Sequence, residues 1–443
     1  MNRFIFCIVI VSIVVITLDL EISNIADFVK RYSISNSGLL IFNIIFAIFW
    51  TSQVVLYYSI RNKLKVIKFR GKSLLFIDKL LRTSLWLVLI VNFVIMVEVL
   101  TFEHYSVYLL MLIVSISYTL NAFFMGLLSY LLFTWNRSRK NYILLCYSLA
   151  STLASISAII TLIYMIGILV DKPEEISSNS EIVFPIFEIN SYLGVLNILN
   201  TISFLFSFVF MWIGSTTVVK HYLVNISKTR YFLIIGAPLI YFIGQYFTAI
   251  NLIFPFIDSS SITFIFFYSI FFTLSSVIGS VIFAMSFWLI AKDLGRNKDI
   301  ATYLSICGYG FILFFSSATA TIIHTPYPPF GIASISVVGF SAYYILFGIY
   351  SSSVSLSEDI TLRDLIRKSS ASQLKLLRSI SVGYLQDKII NQVLETSLRF
   401  KQDSVEQTGI SSSLSKDEIK TYIRQVAEEI NVHKDSNKEN MGL

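Results

Sequence analysis

Residues able to do acid–base or metal chemistry are scarce in this chain, which has four histidines and three cysteines. Two of the histidines, His104 and His324, stand shortly before long apolar runs, and Glu98 and Glu103 closely precede His104. Imidazole and carboxylate groups together suit proton sensing or metal binding. No HExxH motif and no histidine pair at i, i+4 occurs. We therefore assign no catalytic residue, metal or cofactor, and treat Glu98, His104 and His324 as candidate ligand or switch positions.

A second candidate is the segment HTPYPPFG, residues 324–331, which contains three of the seven prolines. Because proline fixes φ and restricts the residue before it, this segment is predicted to be a stiff, extended connector. Two interpretations of Pro328 and Pro329 stay open. They form either a rigid turn that clamps the flanking helices, or an outer lid whose movements pass down the last span. Tyr327 and Phe330 are expected to lie at the lipid headgroup interface.

These candidates must be positioned by helices that cross a membrane. The chain is 55% hydrophobic and 14% charged, whereas soluble domains are about 25% charged. Several apolar runs exceed the roughly 18 residues that a membrane-spanning helix needs. We predict an all-α, polytopic membrane bundle of about ten spans, in which Gly331 lets the last span begin abruptly. The spans cover residues 4–18, 38–60, 84–102, 106–135, 141–170, 192–219, 231–257, 263–291, 300–323 and 332–350.

The loops between these spans alternate in charge. Those after the even-numbered spans carry 17 Lys and Arg residues, and those after the odd-numbered spans carry 3. The positive-inside rule then places both termini in the cytoplasm and the loop 324–331 outside, in a cell membrane. The net charge of +7 is mostly this topology signal, so we expect no nucleic-acid partner. Span 4–18 is interpreted as a retained signal anchor rather than a cleaved signal peptide.

Charged residues within the spans are few. Every Asp, Lys and Arg is placed outside them, Asp19 being assigned to the first loop, 19–37. Glu98 lies inside a span, about 6 Å from its outer end. It is either a functional carboxylate or a hydrogen-bonded structural group. The intramembrane Asn, Ser and Thr residues are expected to bond between helices, and SSATAT (316–321) is the best candidate to line a cavity.

The chain changes character after residue 350. Residues 1–350 form the predicted transmembrane domain and 351–400 form juxtamembrane amphipathic helices. Residues 401–443 comprise a polar linker, a short amphipathic helix and a disordered end. Ser355 and Glu358 have the spacing of a capping box. An interrupted apolar stripe follows them at helical spacing, and it includes Leu377, Ile380, Ile389 and Val393.

Residues 327–369 carry a pattern that resembles a recurring ending of uncharacterised polytopic membrane proteins from ammonia-oxidising archaea. Its parts here are a PPFG loop (328–331), a Gly-x-Tyr-Ser-Ser exit from the last span (348–352) and an Asp-x-x-Leu-Arg helix from Asp359 to Arg363. This resemblance carries no known activity with it. More loosely, the architecture is similar to the membrane sensor modules of prokaryotic histidine kinases. The chain lacks their output domain, so the similarity does not extend to a complete one-component sensor.

Nucleotide-binding and hydrolase signatures such as GxxxxGK[ST], GxGxxG and GxSxG are absent, and we expect no enzymatic activity. The favoured function is sensor-like or adaptor-like, with a signal passed to a cytoplasmic partner through the C-terminal helices. The alternatives are a transporter for an uncharged or apolar solute, or a structural subunit of a membrane complex. The expected partners are the lipid bilayer and a cytoplasmic signalling protein or other membrane subunits. The tail residues expected to bind a partner are Asp359, Leu362, Arg363 and Ile366.

Overall fold

Helices dominate the computed structural model of the protein. Its described residues are 3–28, 36–64, 72–138, 140–177, 191–220, 262–294, 298–318 and 327–358, with shorter stretches between 232 and 243 and between 376 and 396. The elements in chain order are α1 (Arg3–Phe28), α2 (Asn36–Leu64), α3 (Lys72–Phe102), β1 (His104–Ser106), α4 (Val107–Ser138), α5 (Tyr142–Val170), β2 (Glu175–Ser177), α6 (Tyr192–Lys220), α7 (Ile262–Asp293), α8 (Lys298–Ala318) and α9 (Ile332–Glu358).

Seven of these helices, α2 to α6 with α8 and α9, contain stretches long and apolar enough to cross a membrane. Shorter apolar stretches lie in α1 (Cys7–Asp19) and α7 (Val277–Lys292). Each of the nine overlaps one predicted span, and the architecture is that of a helical bundle compatible with a membrane. The predicted span 231–257 lies mostly outside the described residues, so the count of ten stays a prediction.

Helix α9 occupies the centre of the bundle. Its apolar stretch is completely buried, and it packs most extensively against α8 and α4, with further contacts to α1 and α3. The surrounding helices instead expose large apolar side chains, among them Ile44, Ile90, Phe93 and Val170. Exposed apolar surface of this extent suits contact with lipid. Among the described helices, α9 is thus fully enclosed and α8 largely so, since its apolar stretch is 89% buried, while α2, α3 and α5 have faces suited to lipid.

Small residues bring the helices of the bundle close together. The ridge of Ala150, Ala154 and Ala158 on α5, predicted to serve packing, is buried. At this contact surface the Ser207 hydroxyl donates to the Ala150 carbonyl oxygen at 2.8 Å. Where α5 packs against α4, the Ser155 hydroxyl donates to the Ala122 carbonyl oxygen, also at 2.8 Å. Such bonds form because small side chains let neighbouring backbones approach closely.

A two-stranded antiparallel sheet departs from the all-α prediction. Strands β1 and β2 pair with Tyr105 opposite Ile176, and the Val107 N–H donates to the Glu174 carbonyl oxygen at 2.9 Å. Three-residue strands leave no periodic pattern in a sequence, which is why they were missed. This sheet and residues 327–331 lie at one end of the bundle, the proline-loop end. The opposite end, where α4 and α9 finish, is the tail end.

Replacing Gly348 with Ala is expected to destabilise the contact between α8 and α9. A Cβ atom at Gly348 would lie 2.6 Å from the Tyr303 carbonyl oxygen and 2.6 Å from the Cys307 Cβ. Since a backbone atom cannot move aside without parting the helices, we expect a loss of about 1–3 kcal/mol, seen as a lower melting temperature in detergent. Gly236→Ala is the control, because a Cβ there meets nothing within 4 Å. Equal melting temperatures for both variants would contradict this packing.

Candidate functional site

The proline loop folds inward onto α2 and α3. The Tyr327 hydroxyl donates to the Val99 carbonyl oxygen at 3.0 Å, and the Phe330 ring meets the Phe42 ring edge-on at 5.4 Å. Both loop side chains are only 4% exposed, and Pro328 and Pro329 are buried as well. The expectation that Tyr327 and Phe330 face the headgroups is therefore wrong. Their rings fill the space between the first turn of α9 and its neighbours.

The Tyr327 phenol is suited to remain a hydrogen-bond donor. Burial and the nearby negative charge of Glu103 both raise the pKa of Tyr327 above its ordinary value, so the hydroxyl keeps its proton near neutral pH. Glu103 itself adopts φ of 57°, in the left-handed region that few residues other than glycine prefer. The turn between α3 and β1 thus brings a carboxylate towards the proline loop.

A buried carboxylate caps the central helix. Asp19 of α1 is 2% exposed, and its oxygens accept from the Gly331 N–H at 2.9 Å and the Ser334 N–H at 3.2 Å. The Ser334 hydroxyl lies 3.3 Å from the same carboxylate. The Ile335 N–H donates to the Gly331 carbonyl oxygen, which makes Gly331 the N-cap residue. Asp19 therefore satisfies N–H groups that a helix leaves unpaired at its N-terminus.

The position of Asp19 corrects the sequence interpretation, which placed this residue in the loop 19–37. Helix α1 continues to Phe28, so Asp19 lies within a helix and inside the bundle. It was missed because counting charges ends a span at its first ionisable residue. The signal that was available is the apolar context of Asp19 in ITLDLEI, residues 16–22. Gly331 was anticipated correctly, since its φ of 94° lets α9 begin at once.

The other outer candidates are only partly brought together. Glu98 accepts from the Ser106 N–H at 2.9 Å, an arrangement that matches its structural interpretation because it holds β1 against α3. The His104 ring stacks on Phe102 at 5.7 Å, and its Nδ1 is buried without a hydrogen-bond partner. His324 lies outside the described residues. Within those residues, no group of three or more His, Cys, Asp or Glu side chains is placed to hold a metal.

At the tail end, a helical stretch between residues 376 and 386 docks on the bundle. The Asn141 side-chain amide, between α4 and α5, donates to the Ser379 hydroxyl at 2.8 Å. The Tyr384 ring meets the Tyr350 ring of α9 edge-on at 5.9 Å. Three apolar side chains of this stretch are buried: Leu376, Leu377 and Ile380. The predicted tail helix thus finds a packing partner within its own chain.

The contact around Gly383 is especially close. A Cβ atom at this position would lie 2.6 Å from the Cβ of Trp135, near the end of α4. Further along the predicted apolar stripe, Ile389 and Val393 are 47% and 44% exposed, so only part of the stripe is buried here. The tail residues expected to bind a partner, Asp359, Leu362, Arg363 and Ile366, lie outside the described residues.

Some intramembrane polar groups bond between helices as expected from the sequence, but most of the described Ser and Thr hydroxyls donate to carbonyl oxygens of their own helix, as Ser12 and Thr17 do. The Asn200 side-chain oxygen on α6 accepts from Ser157 at 2.6 Å and from Thr161 at 2.9 Å, both on α5.

The candidate cavity segment SSATAT lies only partly within the described residues. Its first two residues, Ser316 and Ser317, are buried and donate to carbonyl oxygens of their own helix. Residues 319–321 lie outside the described part of the chain, so the cavity-lining role of this segment stays a prediction.

Helix α9 connects the two ends of the molecule that carry candidate residues. Its N-terminus is held by Asp19 and the proline loop, and Tyr350 near its end contacts the docked tail. Comparison with protein-family models, curated proteins and solved structures gives no match to this chain.

Replacing Asp19 with Asn tests its role as the cap of α9. The side-chain amide can still accept from Gly331, but it turns an NH₂ group towards the N–H of Ser334, where an acceptor is needed. Because hydrogen bonds to charged groups contribute about 1.5–3 kcal/mol, we expect stability to fall by about 1–3 kcal/mol. The melting temperature in detergent measures this loss. Glu175→Gln, an exposed carboxylate at the same end, is the control, and equal melting temperatures would refute the capping role.

Proposed function

We propose that this protein is a sensor-like or adaptor-like membrane protein. An event at the proline-loop end, or within the membrane, is passed along α9 to the tail, which engages a cytoplasmic partner. The observation that carries this proposal is the contact of α9 with Asp19 at one end and with the docked tail helix at the other. The charge alternation of the loops supports a cell membrane location, with the tail and the N-terminus in the cytoplasm.

The proline-loop end supplies the input. Tyr327 and Phe330 are packed on α3 and α2, and Gly331 is bonded to Asp19 on α1. A change in the loop therefore acts on the first turn of α9 and on three other helices at once. A signal can pass along a packed helix only if some part of the protein has two arrangements. A ligand shifts the balance between them by binding one arrangement more tightly than the other. We assign that role to the tail, docked or released.

The docked tail supplies the output. Among the tail residues that the structure describes, the contact includes three buried apolar side chains, a hydrogen bond between the Asn141 and Ser379 side chains and a ring pair. A contact of this modest size can be shifted by a coupling free energy of about 1–3 kcal/mol, which is typical of allosteric ligands. Release exposes Leu376, Leu377 and Ile380, the apolar surface that a helical partner would recognise. In this proposal, the state of α9 decides whether these apolar side chains are buried against the bundle or exposed to a partner.

A transporter for an uncharged solute is the second candidate function. The observation that favours it is a set of buried polar atoms without hydrogen-bond partners, including the side-chain amide of Gln53 and the oxygens of Asn92 and Asn121. Unpaired polar atoms within a bundle are suited to contact a passing polar solute or water. The few charges placed within the spans disfavour coupling of such transport to ions.

Gly383→Leu tests the docked tail as the output. The larger side chain cannot fit against Trp135, so the tail should leave the bundle without any change to the bundle itself. We expect faster proteolysis after residue 358 and at least a threefold change in the amount of a cytoplasmic protein cross-linked in cells. Lys388→Leu adds the same side chain at an exposed position of the tail and should change neither quantity.

A chain that ends at Glu358, the last residue of α9, completes this experiment. A sensor or adaptor would be supported by two results together. The cytoplasmic protein is no longer cross-linked to the chain that ends at Glu358, and its cross-linked amount changes in Gly383→Leu. Equal capture of the same membrane proteins by all versions would favour a structural subunit. Solute uptake that depends on the chain, with no partner captured by any version, would favour transport.

A further inference from the structure

A cavity opens between α2 and α3 on the outward side of the bundle. Its volume is about 520 Å³, within the roughly 300–1,000 Å³ that sites for small molecules occupy. The residues that line it are five with apolar side chains and one amide: Leu39, Leu40, Asn43, Ile44 and Ala47 of α2, and Leu100 of α3. Leu40, Ile44 and Leu100 are each more than half exposed. The cavity therefore opens sideways, onto the surface suited to lipid.

Both walls of the α2–α3 cavity lie at the proline-loop end of the bundle. The Trp50 Nε1–H donates to the Leu89 carbonyl oxygen at 3.3 Å and bonds α2 to α3. Leu39 and Leu100 each lie eleven residues from this bond, about 16 Å along their own helices. Because α2 begins and α3 ends at the proline-loop end, these two residues are at the same level. Both belong to stretches apolar enough to cross a membrane.

The amide of Asn43 adds little polarity to this wall. Its Nδ2 donates to the Leu39 carbonyl oxygen at 2.8 Å, so its donor is used within α2. Its Oδ1 is buried and has no partner in the described part of the chain. The groups that the cavity presents to an occupant are therefore mainly hydrocarbon.

The same turns of α2 and α3 hold the proline loop on their inner side. Phe42, within the lining stretch of α2, meets the Phe330 ring edge-on at 5.4 Å. Val99, which precedes Leu100 on α3, accepts from the Tyr327 hydroxyl at 3.0 Å. The loop thus fills the space between α2 and α3 from within the bundle, and the α2–α3 cavity is the part of that space left open to the outside.

We propose that the α2–α3 cavity holds one hydrocarbon chain of a membrane phospholipid. Its apolar lining matches a hydrocarbon chain, and its sideways opening admits the chain directly from a bilayer. Its position near the ends of both helices leaves the lipid headgroup at the membrane surface. A bound chain supports the two turns that hold Tyr327 and Phe330, and so favours the packed arrangement of the proline loop. This effect on the loop rests on the proposed sensor function, whereas the lipid site does not.

Titration of the delipidated protein in detergent with dioleoylphosphatidylcholine, followed by native mass spectrometry, tests the site. We expect binding that saturates at one lipid per chain. Leu100→Trp fills the cavity and should weaken binding about tenfold, because forcing extra atoms into an occupied space carries a cost of that order. Ile90→Trp is the matched control, since Ile90 is an equally exposed aliphatic residue of α3 outside the cavity. Ala47→Trp repeats the test from the α2 wall.

Three results would overturn the lipid site. They are equal lipid binding by Leu100→Trp, Ala47→Trp and Ile90→Trp, binding that does not saturate, and a lipid-free dimer whose formation the two cavity variants abolish. Size-exclusion chromatography verifies that each variant remains folded. Proteolysis after residue 358, measured with and without the lipid, separates the site from its effect. Saturable binding that leaves proteolysis unchanged would support the site and contradict the lipid as input to the tail.

Discussion

The buried carboxylate of Asp19 is the interaction on which the arrangement of the bundle depends. Helix α9 begins inside the protein, and the N–H groups of its first turn have no water to accept from them. Asp19 supplies the acceptor from α1, and its negative charge suits the positive end of the helix dipole. Because the carboxylate reaches Gly331, the last residue of the proline loop, it also determines where the loop must end.

The enclosure of α9 follows from this anchoring. A helix held at its N-terminus by another helix can be surrounded on every side, and the apolar stretch of α9 is buried throughout. Helices α2, α3 and α5 expose apolar side chains outward. A helix enclosed by other helices transmits a displacement better than a helix at the periphery of the bundle. The reason is that a packed protein interior is dense and weakly compressible.

The two ends of α9 differ in how firmly they are held. At the proline-loop end, a charged group, a hydroxyl bond to Val99 and a ring pair with Phe42 act together. At the tail end, the contacts that the described residues show, those of Tyr350 and Asn141 with the docked tail, are between neutral groups. Local stability varies within a protein in this way, and the weaker contact is the one that opens first. A firmly held input and a weakly held output suit a molecule that signals through its tail.

The unpaired atoms of Gln53 and Asn92 belong to a different part of the molecule from the tail contact. They lie on α2 and α3, where the cost of an unsatisfied polar group is high because water is scarce. The Trp50 side chain bonds α2 to α3, and the Asn92 side chain bonds α3 to Ser336 of α9.

The sequence by itself determined the helices and their approximate limits. A bilayer requires every spanning segment to satisfy its own backbone, so apolar length alone marks the spans, and the turn at Gly331 follows from local conformational preference. Only the tertiary structure decided that Asp19 meets Gly331, a partner 312 residues away, and that Tyr327 turns inward to Val99. It alone placed Gly383 against Trp135. Such contacts depend on which helix faces which, and hydropathy has no information about that because lipid and protein interior are equally apolar.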